Sequence, residues 1–374
     1  MTTLLGRLSP ARFLRDYWHK RPLLIRNALP GFQGLLPPAA LLDLAACEDV
    51  ESRLVQGSGA HWQLEHGPFR QARFKRLPKT QWTLLLQSIN HFLPEADALL
   101  GRFDFIPHAR LDDLMVSYAV PGGSVGPHFD SYDVFLLQGS GQRRWQIGTQ
   151  TDLALLDDVP LKILRDFRPE EEWLLGPGDM LYLPPHCAHY GVAENTCTTY
   201  SIGFRAPTAN EMVHAFLDHL QDTLELDGRY ADPDLRLQTH PAAIGSAMLD
   251  QIEAMIARIR WERRDVAEFA GRYLTEPKPH VFFEAPEAPP SFAAFARQAQ
   301  KYGVKLDLKS RMLFRDRRFF INGEGFTAGR DEAAALRALA DRRRLAPPLP
   351  DTLLPQLHEW LENGWIHLDR KGRA

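Results

Sequence analysis

His128-Phe129-Asp130 sets an imidazole and a carboxylate two residues apart. On a β-strand, alternate side chains share a face, so this pair would project together. With a second histidine from a distant part of the chain it would make a 2-His-1-carboxylate facial triad. Such a set leaves adjacent coordination positions open and suits Fe(II) that activates oxygen. Alone, His-x-Asp says little, because a surface histidine beside a turn aspartate has the same letters. The neighbourhood says more. Pro121-Gly122-Gly123 and Gly126-Pro127 form a breaker-rich loop that delivers the chain onto the pair. Residues 134–137 read as a short buried strand, 138–142 as a tight turn, and 143–147 as a second strand antiparallel to the first. A hairpin of this kind returns Arg143 or Arg144 toward His128 and Asp130, where a guanidinium would grip a carboxylate through two parallel hydrogen bonds. Alternation favours Arg143, since Arg144 would face the other way.

About sixty residues downstream, Gly176-Pro177-Gly178 precedes an apolar run and Pro184-Pro185, followed by His186, Cys187 and His189. Glycine, five residues, proline, one residue, glycine, two residues and histidine is the spacing of the second metal-binding half of a double-stranded β-helix, or cupin. Gly178, Pro184 and His189 fit it, while His186 stands where glycine is usual. His189 is the expected third ligand and His186 its rival. Cys187 reads as a turn or buried thiol.

Taken together, His128-x-Asp130, a basic residue thirteen positions after the aspartate, and His189 resemble the Jumonji-C class of 2-oxoglutarate oxygenases. Three further stretches narrow the resemblance to the ribosomal oxygenases: the run from Asp16 to Arg26 (Asp-Tyr-Trp-His-Lys-Arg-Pro-Leu-Leu-Ile-Arg), Tyr132-Asp133-Val134-Phe135, and the run from Tyr200 to Pro207. Arginine rather than lysine at 143 matches the bacterial branch, whose members hydroxylate an arginine of a large-subunit ribosomal protein. The resemblance extends over nearly the whole chain. It implies Fe(II) held by His128, Asp130 and His189, with 2-oxoglutarate and O2 as co-substrates. Arg143 would hold the far carboxylate of 2-oxoglutarate, aided by Ser117. The implied reaction is β-carbon hydroxylation of a protein arginine, releasing succinate and CO2. Asp133 is a candidate partner for the substrate guanidinium, and Tyr132 a candidate surface along the bound peptide. Two other readings stay open: a Jumonji-C protein demethylase, and a non-catalytic cupin that binds RNA.

The chain has 374 residues, a formal net charge of -3, 44% hydrophobic and 24% charged residues. That is a globular composition of more than one domain, with no global field drawing it to nucleic acid or membrane. Three separated cysteines form no disulfide framework, and no apolar run has spanning length, so a cytoplasmic protein without a membrane partner is expected. The expected fold class is α+β. Residues 1–207 would be the double-stranded β-helix oxygenase domain, 208–275 a helical dimerisation region, and 276–374 a small winged-helix-like domain. Helices are expected at 11–19, 38–48 and 79–93, and strands at 51–56, 61–64, 112–120, 161–167, 173–175 and 197–204. Beyond the sheet, helical spacing of Met212, Phe216, Leu220, Ile252 and Ile256 needs a partner surface, and the resemblance implies a homodimer there. Arg342-Arg343-Arg344 would suit phosphates, yet acidic residues are interspersed throughout this unit; direct nucleic-acid binding is not expected.

Overall fold

Residues 4–59 and 61–370 are described by the computed structural model. In its first two thirds, the strands are β1 (Leu23–Ile25), β2 (Ser52–Ser58), β3 (His61–His66), β4 (Trp82–Leu86), β5 (Leu111–Ala119), β6 (Val134–Gln138), β7 (Arg143–Gly148), β8 (Glu171–Leu175), β9 (Met180–Leu183), β10 (Ala188–Ala193) and β11 (Cys197–Phe204). Two sheets face each other. The large one runs β1-β9-β6-β11-β5-β4-β2-β3, and the small one β10-β7-β8. Alternation along the central strands divides their side chains. Leu114 and Val116 of β5, with Tyr200, Ile202 and Phe204 of β11, meet the N-terminal helical layer, including Phe13 of helix α1 (Pro10–Asp16). Met115, Ser117, Thr199 and Ser201 therefore face the interior between the sheets.

Three expectations change. Residues 79–93 are not a helix: 82–86 form β4, buried at every position and paired with both β2 and β5. A strand covered on both faces has no alternation to distinguish it from buried helix. Strands β6 and β7 are not a hairpin either. β6 pairs with β9 and β11, whereas β7 pairs with β8 and β10, so the turn at 139–142 carries the chain from one sheet to the other. The stretch 161–167 forms only an isolated bridge, Leu155 with Leu164, because it lines the inner cluster around Ile163 and Trp62 rather than extending a sheet.

Helices α2 (Pro38–Leu44), α3 (Gln71–Phe74) and α4 (Pro94–Leu100) pack beside the large sheet, and after β11 come α5 (Ala209–Thr223), α6 (Ser246–Ile256) and α7 (Arg263–Thr275). Residues 224–245 between α5 and α6 are not helical. Thr208 opens α5 with a reciprocal capping box to Glu211. The C-terminal unit holds α8 (Phe292–Tyr302), α9 (Ala333–Arg342) and α10 (Leu354–Glu362) around Phe295, Leu336, Leu357 and Trp360. A three-stranded sheet of β13 (Met312–Arg315), β14 (Arg318–Ile321) and β15 (Glu324–Thr327), its first hairpin turning at Asp316, adds Met312, Phe319 and Ile321 to that core; β12 (Val304–Leu306) lies in a separate small sheet. Helix α7 seats on β14 through Gly271, where a Cβ would fall 2.3 Å from the Phe320 ring. Of the arginine triplet, Arg343 turns inward with φ 58°, donating to Asp307 O and Ser310 O and pairing with Asp97 of α4 at 2.9 Å.

His91 lies at the seam between the two units. Burial first, then the charges of Arg311, Lys278, Lys309 and Arg343, push its pKa down to about 4. It is neutral when folded, whereas the unfolded chain takes up a proton near 6.5. Its contribution is thus complete above pH 6.5 and is lost as pH falls toward 4, by up to about 3 kcal/mol. The urea midpoint of the metal-free protein should fall over that window, and His91→Gln should flatten the pH dependence.

Candidate metal and 2-oxoglutarate site

The three expected metal ligands converge. One donor atom from each of His128, Asp130 and His189 lies within 4.8 Å of the others. His189 is the second residue of β10, and His128 is bridged to it across the open edge of the small sheet: His128 N donates to His189 O at 2.9 Å, and His189 N to His128 O at 2.8 Å. The His128 pair is thus a single bridge beyond the regular strand, not part of one. Its entry depends on Gly126, at φ 83°, where a Cβ would stand 2.2 Å from Ile163. His128 Nδ1 meets Gly126 O at 2.9 Å and His189 Nδ1 meets Cys187 O at 2.8 Å, leaving both Nε2 atoms for a shared ion. His189 Nε2 lies 3.8 Å from the Asp130 carboxylate. Burial, then the neighbouring His128, push the His189 pKa down to about 4 against the pull of Asp130. At neutral pH it offers a free lone pair without first losing a proton. This donor set, two imidazoles and one carboxylate with one side open, fits a divalent iron.

His186 stands apart from that group. It takes a left-handed turn at φ 62°, its N–H donates to Asp130 O at 2.7 Å, and its ring lies against Phe129. It shapes the turn that presents His189. Burial raises the Cys187 thiol to about 11, away from the thiolate that binds metal.

Arg143 enters the same interior from β7 and is only 4% exposed. Its Nε and one terminal nitrogen, the edge that matches a carboxylate, have no hydrogen-bond partner among the described residues. Its guanidinium carbon stands 5.7 Å from the Trp145 ring, and Trp145 in turn packs 5.8 Å from His189. Arg144 faces outward to Glu172 and Glu194. The indole Nε1 of Trp145 and the hydroxyl of Thr83 are also buried without partners among the described residues. A buried donor without a partner is costly, and the cationic edge of Arg143 is the one among these that matches a carboxylate. Ser117 is buried on the inner face, its hydroxyl 3.4 Å from Thr199 O.

Asp133 does not face this site. It is wholly buried, and its carboxylate is taken by the Tyr182 hydroxyl at 2.6 Å, His19 Nδ1 at 2.7 Å and Arg110 at 3.4 Å. Buried, with both oxygens already engaged inside the fold, it is not placed to meet a substrate guanidinium, and the expected role is corrected to a brace between the N-terminal turn and the loop before β6. Tyr132, the residue before it, is 41% exposed, and desolvation followed by the nearby charges of Asp130 and Asp113 raises its hydroxyl pKa. The inward carboxylate missed in the sequence is Asp113 on β5. Its Oδ2 accepts from Gln87 at 2.7 Å and from Ser88 N and Oγ at 3.0 and 2.8 Å, while Oδ1 points to the space above Gly203 and Tyr132.

The JmjC domain profile matches residues 98–212, an AraC-like ligand binding domain profile 167–260, and a ROXA-like winged helix profile 258–366. The ribosomal protein uL16 3-hydroxylase of Escherichia coli is 36% identical over 281 residues, 74% of this chain and 74% of that one. The chain belongs to the ribosomal oxygenases of the JmjC class. A solved ribosomal oxygenase from Escherichia coli, YcfD, superposes with a TM-score of 0.83 at 31% identity, covering 97% of this chain and 99% of that one. A second structure of YcfD, described as a complex with cobalt and 2-oxoglutarate, gives a TM-score of 0.83 at 31% identity over 96% and 98% of the two chains. The ribosomal oxygenase fold, a cupin followed by a winged helix, is therefore the fold of this chain. No helix among the described residues is long and apolar enough to cross a membrane.

Proposed function

We propose that the protein is an Fe(II)- and 2-oxoglutarate-dependent oxygenase that hydroxylates the β-carbon of an arginine in the large-subunit ribosomal protein uL16. The observation that carries this reading is Arg143: a buried guanidinium with its carboxylate-matching edge unpaired, in the same interior as His128, Asp130 and His189. The name of the Escherichia coli relative and the 2-oxoglutarate complex of YcfD support it. In this reading His128, Asp130 and His189 hold the iron, and Arg143 takes the far carboxylate of 2-oxoglutarate in two charge-assisted hydrogen bonds. Ser117, on the inner face of β5, would aid it. When bound, iron with 2-oxoglutarate supplies the oxygen activation that no side chain can. The chain's own part is to orient the target carbon and to exclude water. Asp113 Oδ1 offers the substrate guanidinium a carboxylate already fixed by Gln87 and Ser88, and Tyr132 flanks the entering peptide.

The test is incubation of the purified protein with Fe(II), 2-oxoglutarate and a uL16 peptide. Gain of one oxygen on one arginine is expected, with stoichiometric succinate. Loss of methyl groups from a methylated peptide, or unchanged peptide masses throughout, would refute the assignment.

We further propose that residues 1–207 are the catalytic part and that 208–275 join two copies of the chain, with 276–374 as the winged-helix unit. Met248, Ile252 and Ile256 form an exposed apolar row on α6, and Val213 and Leu217 are exposed on α5. Burying each such side chain gains about 1.5–3 kcal/mol, enough for a stable pair when several meet. Light scattering should give a dimer mass, and Ile252→Asp with Ile256→Asp should give a folded monomer. A cytoplasmic location fits a ribosomal substrate.

A further inference from the structure

Strand β5 carries two adjacent aspartates that face opposite ways. Asp113 faces the interior; Asp112 faces the C-terminal unit, where its carboxylate meets Lys278 at 3.2 Å, Arg205 at 3.4 Å and Arg311 at 3.7 Å. Burial alone would raise the Asp112 pKa, yet these cations hold it below the ordinary carboxylate value. The backbone here lacks ordinary sheet support. β4 ends at Leu86, opposite Val116, and the β11 ladder slips between Ile202 and Phe204, beside Leu111. Backbone carbonyls in such a gap need other donors.

Arg311 supplies them from the other unit. Its guanidinium donates to Leu111 O at 2.8 Å and to Asp112 O. It sits at the root of the β13–β14 hairpin, with its N–H donating to Asn322 Oδ1 at 2.9 Å and its carbonyl accepting from Asn322 N at 3.1 Å. The preceding loop is itself tied down, since Arg343 donates to the carbonyls of Asp307, Leu308 and Ser310. An unbroken chain of bonded groups thus runs from the C-terminal unit to the residue before Asp113.

We infer that Arg311 is a positioning residue for substrate binding: through it the winged-helix unit braces the start of β5 and fixes Asp113 for a cationic side chain. The inference rests on the reading of Asp113 given above. It assigns the C-terminal unit a part in recognising the peptide without touching it. Because Arg311 acts on backbone carbonyls, a planar fork is needed rather than charge alone.

The test compares full-length protein with Arg311→Met, Arg311→Lys, Asp113→Asn and the Arg311→Met/Asp113→Asn pair. Affinity for an arginine peptide from uL16 is read by fluorescence polarisation without metal, and KM values for peptide and 2-oxoglutarate are read separately. Arg311→Met should weaken peptide binding about tenfold and Arg311→Lys by less, with KM for 2-oxoglutarate unchanged. Combined with Asp113→Asn it should add nothing, since both act through one carboxylate. Unchanged peptide affinity in Arg311→Met, effects that multiply in the double variant, or equal loss of 2-oxoglutarate binding would overturn the inference. If Asp113→Asn alone leaves peptide affinity intact, the reading of Asp113 falls and the inference with it. If only the Arg311 variants are silent, the inference alone falls. Should Arg311→Met not fold, Arg311→Lys carries the same comparison.

Discussion

Arg143→Gln is expected to raise the KM for 2-oxoglutarate about a hundredfold or more, because a buried carboxylate would lose both of its charged donors. The same change should not destabilise the ligand-free protein. A buried cation without a partner costs free energy, so its removal should leave the urea midpoint unchanged or raise it. This opposition of affinity and stability separates a binding residue from a structural one: loss of a structural cation would lower both. Arg143→Lys restores charge but only a single-point contact, and should recover part of the affinity. Calorimetry with 2-oxoglutarate and denaturant titration of the same samples measure both quantities.

His189→Ala is expected to lower the affinity for Mn(II) or Co(II) about a thousandfold or more, beyond the 10- to 100-fold typical of outer-sphere changes. Hydroxylation should fall below detection. His186→Ala, three residues away, should bind metal within about twofold of the parent, since His186 lies outside the convergent group. The comparison also tests the carbonyls that orient the ligands. Those of Gly126 and Cys187 belong to the backbone and persist in either variant, so a deficit in His189→Ala alone belongs to the imidazole. Comparable losses in the two variants would instead make the effect one of turn geometry.

The two histidines were legible in the sequence because glycine or proline fixes the turn before each, Gly126-Pro127 before His128 and Pro184-Pro185 before His189, and Asp130 followed from its spacing to His128. Arg143 was legible by alternation, although the hairpin expected to deliver it is absent and the turn at 139–142 instead crosses between sheets. The face of a strand follows from its period; its partners do not. Thr83 was lost when 79–93 was taken as helix, since a strand buried on both faces shows no period at all. Asp133 was placed at the substrate by its distance along the chain from Asp130, but the bend before β6 turns it to His19 and Tyr182. Asp113 and Arg311 could not be paired in advance, because their connection spans two units almost two hundred residues apart in sequence.

The most direct measurement is the fate of labelled dioxygen in a reaction with the uL16 peptide. One labelled atom should appear on the β-carbon of a single arginine and one in succinate, and both signals should vanish together in His189→Ala and Arg143→Gln at limiting 2-oxoglutarate. Label that reaches succinate but never the peptide, or peptide oxygen that derives from water, would contradict the account.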